Sequence, residues 1–361
     1  MWKTMGVSVA GVVAITGAFV AWFFSLIDKT AAHNLEATLP QDLPYYQQMV
    51  REDRGKVLVV VTSETQMGDS GKTTGYEHTE LSRAYYVFKV NGFDVDIASP
   101  RGGEPRAIID DEDMGALDYA FLNDPEATAK VSDSLPLAGV DGDAYQAVFF
   151  VGGKGTMWDF PDNPYIHSLV RDYASEDKVI GAVCHGPAAL ANVVLDDGKP
   201  YLAGKTVTGF TNEEELLLIP EAAEIFPFLL EDRMREQGAD VIAGIAYLEN
   251  VAVSEGLVTG QNPWSVYATA EAMVEQLGYV PVPRTTTGDE NSIDVLAQYH
   301  LLGKVGARES LDAFVAAGQA INRNLFIVHS IVAAMQWRLK SALELLVIAQ
   351  HAKKIAGEQA A

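Results

Sequence analysis

The sequence predicts an α/β fold of the flavodoxin-like, doubly wound type, with a mostly parallel sheet and helices on both of its faces. Continuous apolar runs, typical of strands buried on both faces, occur at residues 56–62, 147–151 and 179–183. Residues 80–91 between them carry apolar side chains at helical spacing, and Gly92 ends that helix. Because strand and helix alternate, right-handed crossovers and a parallel sheet are expected.

Four further strands complete the predicted sheet, at residues 93–99, 205–211, 251–254 and 257–259. A last helix of this region is expected to end near Leu277. Residues 110–142 are acidic and predicted to form an irregular surface excursion. In sheets of this type, ligands bind beyond the carboxyl ends of the strands, so the candidate site residues are sought there.

The chain is strongly acidic, with 26 Lys and Arg residues against 49 Asp and Glu residues in 361 positions. Phosphate binding needs a basic surface, so this charge argues against a nucleic-acid partner. Cys184 is the one cysteine, which excludes an internal disulfide.

Residues 6–27 contain 22 successive uncharged positions, most of them apolar. A helix of this length spans the roughly 30 Å core of a bilayer. We therefore expect an uncleaved membrane anchor, with a cleaved signal and secretion as the alternative. Lys3 before the span predicts an N-terminus in the cytoplasm and an α/β domain outside it.

The predicted organisation has four parts. Residues 1–29 are the anchor, 30–54 a polar linker with two prolines, 55–280 the α/β domain and 281–361 a helical extension.

The extension is expected to contain helices at 294–302, 308–321 and 324–355, the last with an apolar stripe. The stripe indicates a packed cap or a homodimer surface. A second membrane span is disfavoured, because charged residues interrupt the last helix.

Cys184 follows an apolar strand and precedes His185, Gly186, Pro187 and an alanine-rich segment. Strand, sharp turn and helix form a nucleophile elbow, the geometry that presents a catalytic nucleophile at the edge of a sheet. A helix N-terminus and an adjacent imidazole lower a thiol pKa, so a reactive thiolate is expected. The alternative is a buried structural cysteine.

The run Ala182-Val-Cys-His-Gly-Pro187 resembles the ThiJ/PfpI family of the class I glutamine amidotransferase-like superfamily, and within it the chaperone-like, glutathione-independent glyoxalases. The resemblance extends over residues 55–279. It implies an enzyme that acts on small reactive carbonyls through Cys184, with His185 beside it and with no metal or organic cofactor.

Glu80, after Thr74-Gly75, resembles the family's acidic residue that hydrogen-bonds the cysteine. By sequence alone, a solvated glutamate in the first turn of a helix is the better explanation, and it is the resemblance that favours a functional role.

The segment that begins Gly152-Gly153-Lys154 follows a strand and resembles the family's glycine-rich turn facing the cysteine. With Gly186 it is the predicted oxyanion and substrate site, since glycines let backbone N–H groups approach developing charge. Related proteins often carry histidine where Lys154 stands. The segment lacks the spacing of a phosphate-binding loop.

The run Gly209-Phe-Thr211 is followed by three glutamates, and the resemblance implies that one of them completes a Cys-His-acid triad. Residue-by-residue matching indicates Glu215, with Glu214 as the alternative. A carboxylate there would fix the imidazole tautomer. Three glutamates are also typical of a charged helix start.

For these residues, the resemblance implies glutathione-independent conversion of methylglyoxal to lactate, or related deglycase chemistry. The alternatives are a peptidase or amidase of the same superfamily and a membrane-tethered, non-catalytic stress or interaction protein. Glutamine amidotransfer is disfavoured, because no His-Pro-Glu sequence follows the cysteine.

Overall fold

A computed structural model describes residues 18, 20–28, 35–111 and 113–359 of the chain. Two compact units are present. The larger unit is Asn34–Arg284, and the smaller unit combines Thr285–Ala361 with the described residues before position 33.

The strands of the larger unit are β1 Lys56–Val60, β2 Tyr76–Glu77, β3 Asp94–Ser99, β4 Ala107–Ile108, β5 Leu135–Pro136, β6 Ala147–Phe150, β7 Val179–Val183, β8 Thr206–Val207, β9 Asp240–Val241, β10 Val251–Ser254 and β11 Leu257–Gly260. Seven of them form one sheet in the order β10-β11-β7-β6-β1-β3-β5. Only the β10–β11 pair of this sheet is antiparallel. The five central strands, β3-β1-β6-β7-β11, follow the flavodoxin-like order 2-1-3-4-5, as predicted.

The α-helices of this unit are α1 His78–Val90, α2 Ala116–Leu122, α3 Pro125–Ser132, α4 Thr156–Asp159, α5 Pro164–Ser175, α6 Asn212–Leu218, α7 Ala222–Ile225, α8 Leu230–Glu236 and α9 Val266–Gln276. They flank the sheet, with α1 and α9 packed against each other. Strands β6 and β7 are buried at every position, which is why their sequences are continuously apolar. Strand β3 alternates in burial over its first four residues, where Asp94 and Asp96 pair with Lys130 and Lys56.

Two predictions for this unit are wrong in detail. The acidic stretch 110–142 contains two helices, and Asp124 caps α3 by accepting hydrogen bonds from the N–H groups of Glu126 and Ala127. Of the strand predicted at 205–211, only Thr206–Val207 forms a strand, β8, and it pairs with β9 outside the main sheet. Phe210 instead donates its N–H to the Cys184 carbonyl, so this segment crosses the end of β7.

The smaller unit contains α10 Gly288–Ala316, α11 Arg323–Met335 and α12 Leu339–Gln359. Gly303, at φ 69°, interrupts α10. A single helix was predicted where α11 and α12 form a hairpin. The break lies at Trp337, at φ 60°. The Trp337 N–H donates to the Ala334 carbonyl and the Arg338 N–H to the Ala333 carbonyl, a Schellman motif that ends α11.

The membrane-anchor prediction for residues 6–27 is corrected. Residues 6–17 and 19 lie outside the described residues, and the described end, residues 20–26, is helical. Leu26 is fully buried, and the Trp22 Nε1–H donates to Gln350 Oε1 at 2.8 Å within the smaller unit. In the described part of the chain, no helix combines the length and the apolar character needed to cross a bilayer. The predicted single-pass topology is therefore withdrawn, together with the extracytoplasmic location drawn from it.

Candidate active site

Cys184 lies directly after β7 in a left-handed backbone conformation, at φ 58°. Two backbone hydrogen bonds hold it there: its N–H donates to the Gly260 carbonyl at 2.9 Å, and its carbonyl accepts from Phe210 at 2.8 Å. A non-glycine residue in this region is sterically strained, and such strain is typical of nucleophile elbows. The following helix is a four-residue 3₁₀ helix, Gly186–Ala189, shorter than the alanine-rich sequence predicted.

A continuous line of side-chain contacts runs from Cys184 through His185 to Glu215. The Cys184 Sγ atom lies 3.2 Å from His185 Nδ1, and His185 Nε2 lies 2.5 Å from Glu215 Oε2. All three side chains are buried. A carboxylate at Nε2 accepts the Nε2–H, which leaves Nδ1 to accept the proton of the thiol.

The two candidate glutamates of α6 have different partners. Glu214 forms a capping box with Thr211 and also accepts from the Tyr247 N–H and the Asn262 amide, at 2.7 and 2.9 Å. It therefore ties α6 to the loops before β10 and after β11. The structure brings Glu215, and not Glu214, to the imidazole of His185.

Glu80 reaches the cysteine from the first turn of α1. Its side chain is completely buried, its Oε2 accepts from the Gly152 N–H at 2.7 Å, and it interacts with the Cys184 sulfur. A Cβ at position 152 would lie 2.5 Å from Glu80 Oε2 and 2.8 Å from the Cys184 Cβ. Glycine at 152 is thus what allows the carboxyl, the thiol and the β6 loop to meet.

The predicted oxyanion residues, Gly152, Gly153 and Gly186, lie around Cys184, but their backbone groups differ in partner and conformation. The Gly152 N–H is engaged by Glu80, so an oxyanion needs its donors elsewhere. Gly153 has φ 102°, a conformation that requires glycine, and Gly186 begins the 3₁₀ helix. Lys154 is half-buried, and its positive charge lowers the pKa of the Cys184 thiol.

Burial is the dominant electrostatic influence on the Glu80–Cys184 pair. It raises the pKa of Glu80 well above its usual range, and the negative charge of Glu77 adds to the rise. Burial also raises the pKa of the Cys184 thiol. The predicted lowering of that pKa is therefore wrong in direction. Both shifts favour the neutral forms of the Glu80 carboxyl and the Cys184 thiol.

Two residues near the site were not predicted. Glu77, the N-cap of α1, has a pKa raised by burial to about 7, and its charge acts on both Glu80 and Cys184. The sequence signal for Glu77 was its spacing, because it lies three residues before Glu80 on the same side of the start of α1. Phe210 stacks on the His185 ring, with centroids 4.5 Å apart. Among the described residues, no group of three or more His, Cys, Asp or Glu side chains is arranged to hold a metal ion.

The family pattern described as DJ-1/PfpI matches residues 72–276, more than half of the chain. The chain belongs to the DJ-1/PfpI family. The ThiJ/PfpI resemblance seen in the sequence is therefore confirmed.

Similar proteins of the DJ-1/PfpI family include enzymes. Glutathione-independent glyoxalase HSP31 of Saccharomyces cerevisiae is 29% identical over 62% of this chain and 98% of its own length. Glyoxalase 3 of Candida albicans is 30% identical over 61% of this chain and 97% of its own. These relatives confirm the prediction of an enzyme, whereas the role of each site residue stays a prediction.

Two crystal structures share the DJ-1/PfpI fold with this chain. The 24 kDa Rapid Encystment Protein of Francisella tularensis has a TM-score of 0.59 at 37% identity, over 62% of this chain and 99% of its own. Glyoxalase III of Candida albicans has a TM-score of 0.56 at 25% identity, over 62% and 97%.

Proposed function

We propose that the chain is a cysteine-dependent, glutathione-independent glyoxalase that converts methylglyoxal to lactate. The observation that carries the proposal is the buried line of contacts Cys184–His185–Glu215, with the Glu80 carboxyl packed beside the cysteine at Gly152. It offers a nucleophile, a base and an acid around one reacting carbon, and two relatives, HSP31 and hsp3102, are named as glutathione-independent glyoxalases.

In the first step, His185 Nδ1 takes the thiol proton and the Cys184 sulfur attacks the aldehyde carbon of methylglyoxal. A C–S bond forms, and the π electrons of the carbonyl move to its oxygen. The imidazolium then returns the proton to that oxygen, which gives a neutral hemithioacetal. Glu215 favours this step because its charge stabilises the transient imidazolium.

In the second step, His185 removes the hydrogen of the former aldehyde carbon while protonated Glu80 donates its proton to the neighbouring ketone oxygen. The product is an enediol bound through sulfur. His185 then gives its proton to the second carbon, and Glu80 regains a proton from the first hydroxyl. The result is a lactoyl thioester with both side chains in their starting states.

In the last step, water attacks the thioester carbon, the C–S bond breaks and the sulfur recovers a proton. One water is consumed in each turnover, so methylglyoxal and water give lactic acid without a redox partner. Glutathione is not required, because the sulfur of Cys184 plays the part that a thiol cofactor would play.

The test is lactate formation by the purified full chain supplied with methylglyoxal and no glutathione. We expect turnover that does not increase when glutathione is added and that is lost in Cys184→Ser with an unchanged circular dichroism spectrum. Absence of lactate from a folded wild-type chain, or a Cys184→Ser variant with undiminished turnover, would refute the proposal. Glycated amines, esters and peptides assayed in parallel would show whether the same nucleophile serves deglycase or hydrolase chemistry instead.

A further inference from the structure

The outward side of the α11–α12 hairpin carries an apolar stripe on each helix. Six large side chains, 40–59% exposed, form it: Val328, Ile331, Met335, Leu339, Leu343 and Val347. We call these six residues the hairpin face. Their spacing of three or four residues places them on one side of each helix. Trp337, at the turn between the helices, is 85% exposed and extends the same surface.

The opposite sides of both helices are already buried. Phe326 and Ala333 of α11 lie in the interior of the smaller unit, as do Leu345 and Ala349 of α12. Both helices are therefore apolar on two sides, a pattern typical of helices that are covered on both. The hairpin face and Trp337 together expose an apolar area on the order of 700 Å², above the usual largest patch of a monomer.

We propose that the hairpin face is the interface of a homodimer, covered by the hairpin face of a second copy. Charge supports this choice of partner. Residues 281–361 carry 8 of the 26 basic residues of the chain but only 7 of its 49 acidic residues. Two copies of so acidic a chain repel each other, and this nearly neutral part is where they approach at the least electrostatic cost.

The geometry of the face supports the same partner. Two helical hairpins that pack through stripes of this spacing form a four-helix arrangement. A two-fold axis lets one surface cover its own copy, so the contact closes at two subunits. The exposed apolar area is comparable to the roughly 800 Å² that each partner buries in a standard-size interface.

The experiment is sedimentation velocity of the full chain and of Ile331→Glu and Leu343→Glu over a concentration series. We expect a wild-type dimer and a dissociation constant raised at least about 100-fold in each variant, because an unpaired charge would be buried at the interface. Val280→Glu is the matched control, since Val280 is 87% exposed outside the hairpin face. Circular dichroism checks that each variant is folded, and Val347→Glu replaces any variant that is not.

A wild-type chain that is monomeric at all concentrations would overturn the proposal. So would equal weakening by Val280→Glu and the hairpin-face variants. Flotation with phosphatidylcholine vesicles provides a further test. If the wild-type chain is a monomer that floats with the vesicles and Ile331→Glu does not float, the hairpin face binds lipid instead of a second copy.

Discussion

The Nε2 atom of His185 lies 2.5 Å from Oε2 of Glu215, while Glu214, one residue earlier, is held by Thr211, Tyr247 and Asn262. Successive helical residues point about 100° apart, so two adjacent glutamates serve two different neighbourhoods. One carboxylate faces the histidine beside Cys184, and the other caps the helix that carries both glutamates.

Glu215→Gln and Glu214→Gln should therefore fail in different ways. Glu215→Gln removes the charge that stabilises imidazolium, and we expect kcat to fall by about 10²–10⁴-fold with little change in stability. Glu214→Gln leaves His185 untouched but weakens a buried cap, and we expect a loss of about 1–3 kcal/mol in the free energy of unfolding. Methylglyoxal turnover and urea denaturation of both variants measure the two effects. Similar kcat losses in both would contradict the separation.

His185 should control the reactivity of Cys184. Because burial raises the thiol pKa, the imidazole has to accept the proton for a thiolate to form near neutral pH. We expect His185→Ala to slow iodoacetamide alkylation of Cys184 at pH 7 by at least about tenfold. Raising the pH should restore part of the rate, since hydroxide can then remove the proton.

His351→Ala is the control for that experiment, because His351 pairs with Asp312 in the smaller unit. It should alkylate like the wild type. If His185→Ala alkylated at the wild-type rate at pH 7, the thiol would be ionising without the imidazole, and the coupling argued above would be wrong.

Glu80→Gln should separate thiol reactivity from turnover. Glutamine keeps a hydrogen-bond donor toward the sulfur and an acceptor for the Gly152 N–H, but it has no transferable proton. We expect this variant to alkylate readily at Cys184 and to lose about 10²–10⁴ in methylglyoxal kcat. Glu80→Ala should lose both properties. Turnover by Glu80→Gln near the wild-type rate would leave the whole proton transfer to His185.

The same substitution should also change stability in a pH-dependent way. Because the folded-state pKa of Glu80 is raised, its contribution to stability is full below the pKa of the unfolded chain and is lost as pH rises toward the folded-state value. Glu80→Gln removes this loss, so its gain in melting temperature over the wild type should be larger at pH 8 than at pH 5. Glu221→Gln is the control, since Lys72 lowers the pKa of that exposed glutamate. A gain independent of pH would mean that Glu80 is ionised in the fold.

Gly152→Ala should disable the site while the sheet remains intact. Its Cβ would overlap both the Glu80 carboxyl and the Cys184 Cβ, so one of them has to move. We expect kcat/KM for methylglyoxal to fall by at least about 10²-fold, because small displacements in a reacting geometry are costly. Gly71→Ala is the comparison, since nothing lies within 4 Å of its added Cβ, and although its φ of 72° costs some stability, turnover should be retained. Near-normal activity in Gly152→Ala would argue against the close packing of this turn.

The sheet was predictable because strands buried on both faces need apolar residues at every position, as β6 and β7 have. Cys184 was predictable because strand ends converge on one edge of such a sheet, whereas the placing of Glu80 beside it rested on the family resemblance. The preference for Glu215 over Glu214 rested on the family resemblance, yet a local signal existed. Thr211-x-x-Glu214 is a capping-box sequence, which assigns Glu214 to the helix start.

Other features depend on contacts that local sequence does not encode. The direction of the Cys184 pKa follows from burial by segments far apart in the chain. The hairpin break at Trp337 has no glycine or proline to mark it, and only the packing of α11 on α12 makes the turn necessary. The apolar end of the N-terminal segment, read as a membrane anchor, buries Leu26 in the smaller unit instead.

The clamping of His185 between Phe210 and Glu215 has a stereochemical consequence for the proposed reaction. An imidazole fixed in plane and position can take a hydrogen from one carbon and deliver it to the next only on the same face of a planar enediol. The new stereocentre should then have one handedness, and deuterium from the aldehyde carbon should be retained there at least in part, protected from exchange with water. Chiral chromatography and mass spectrometry of lactate made from deuterated methylglyoxal would reveal both signatures.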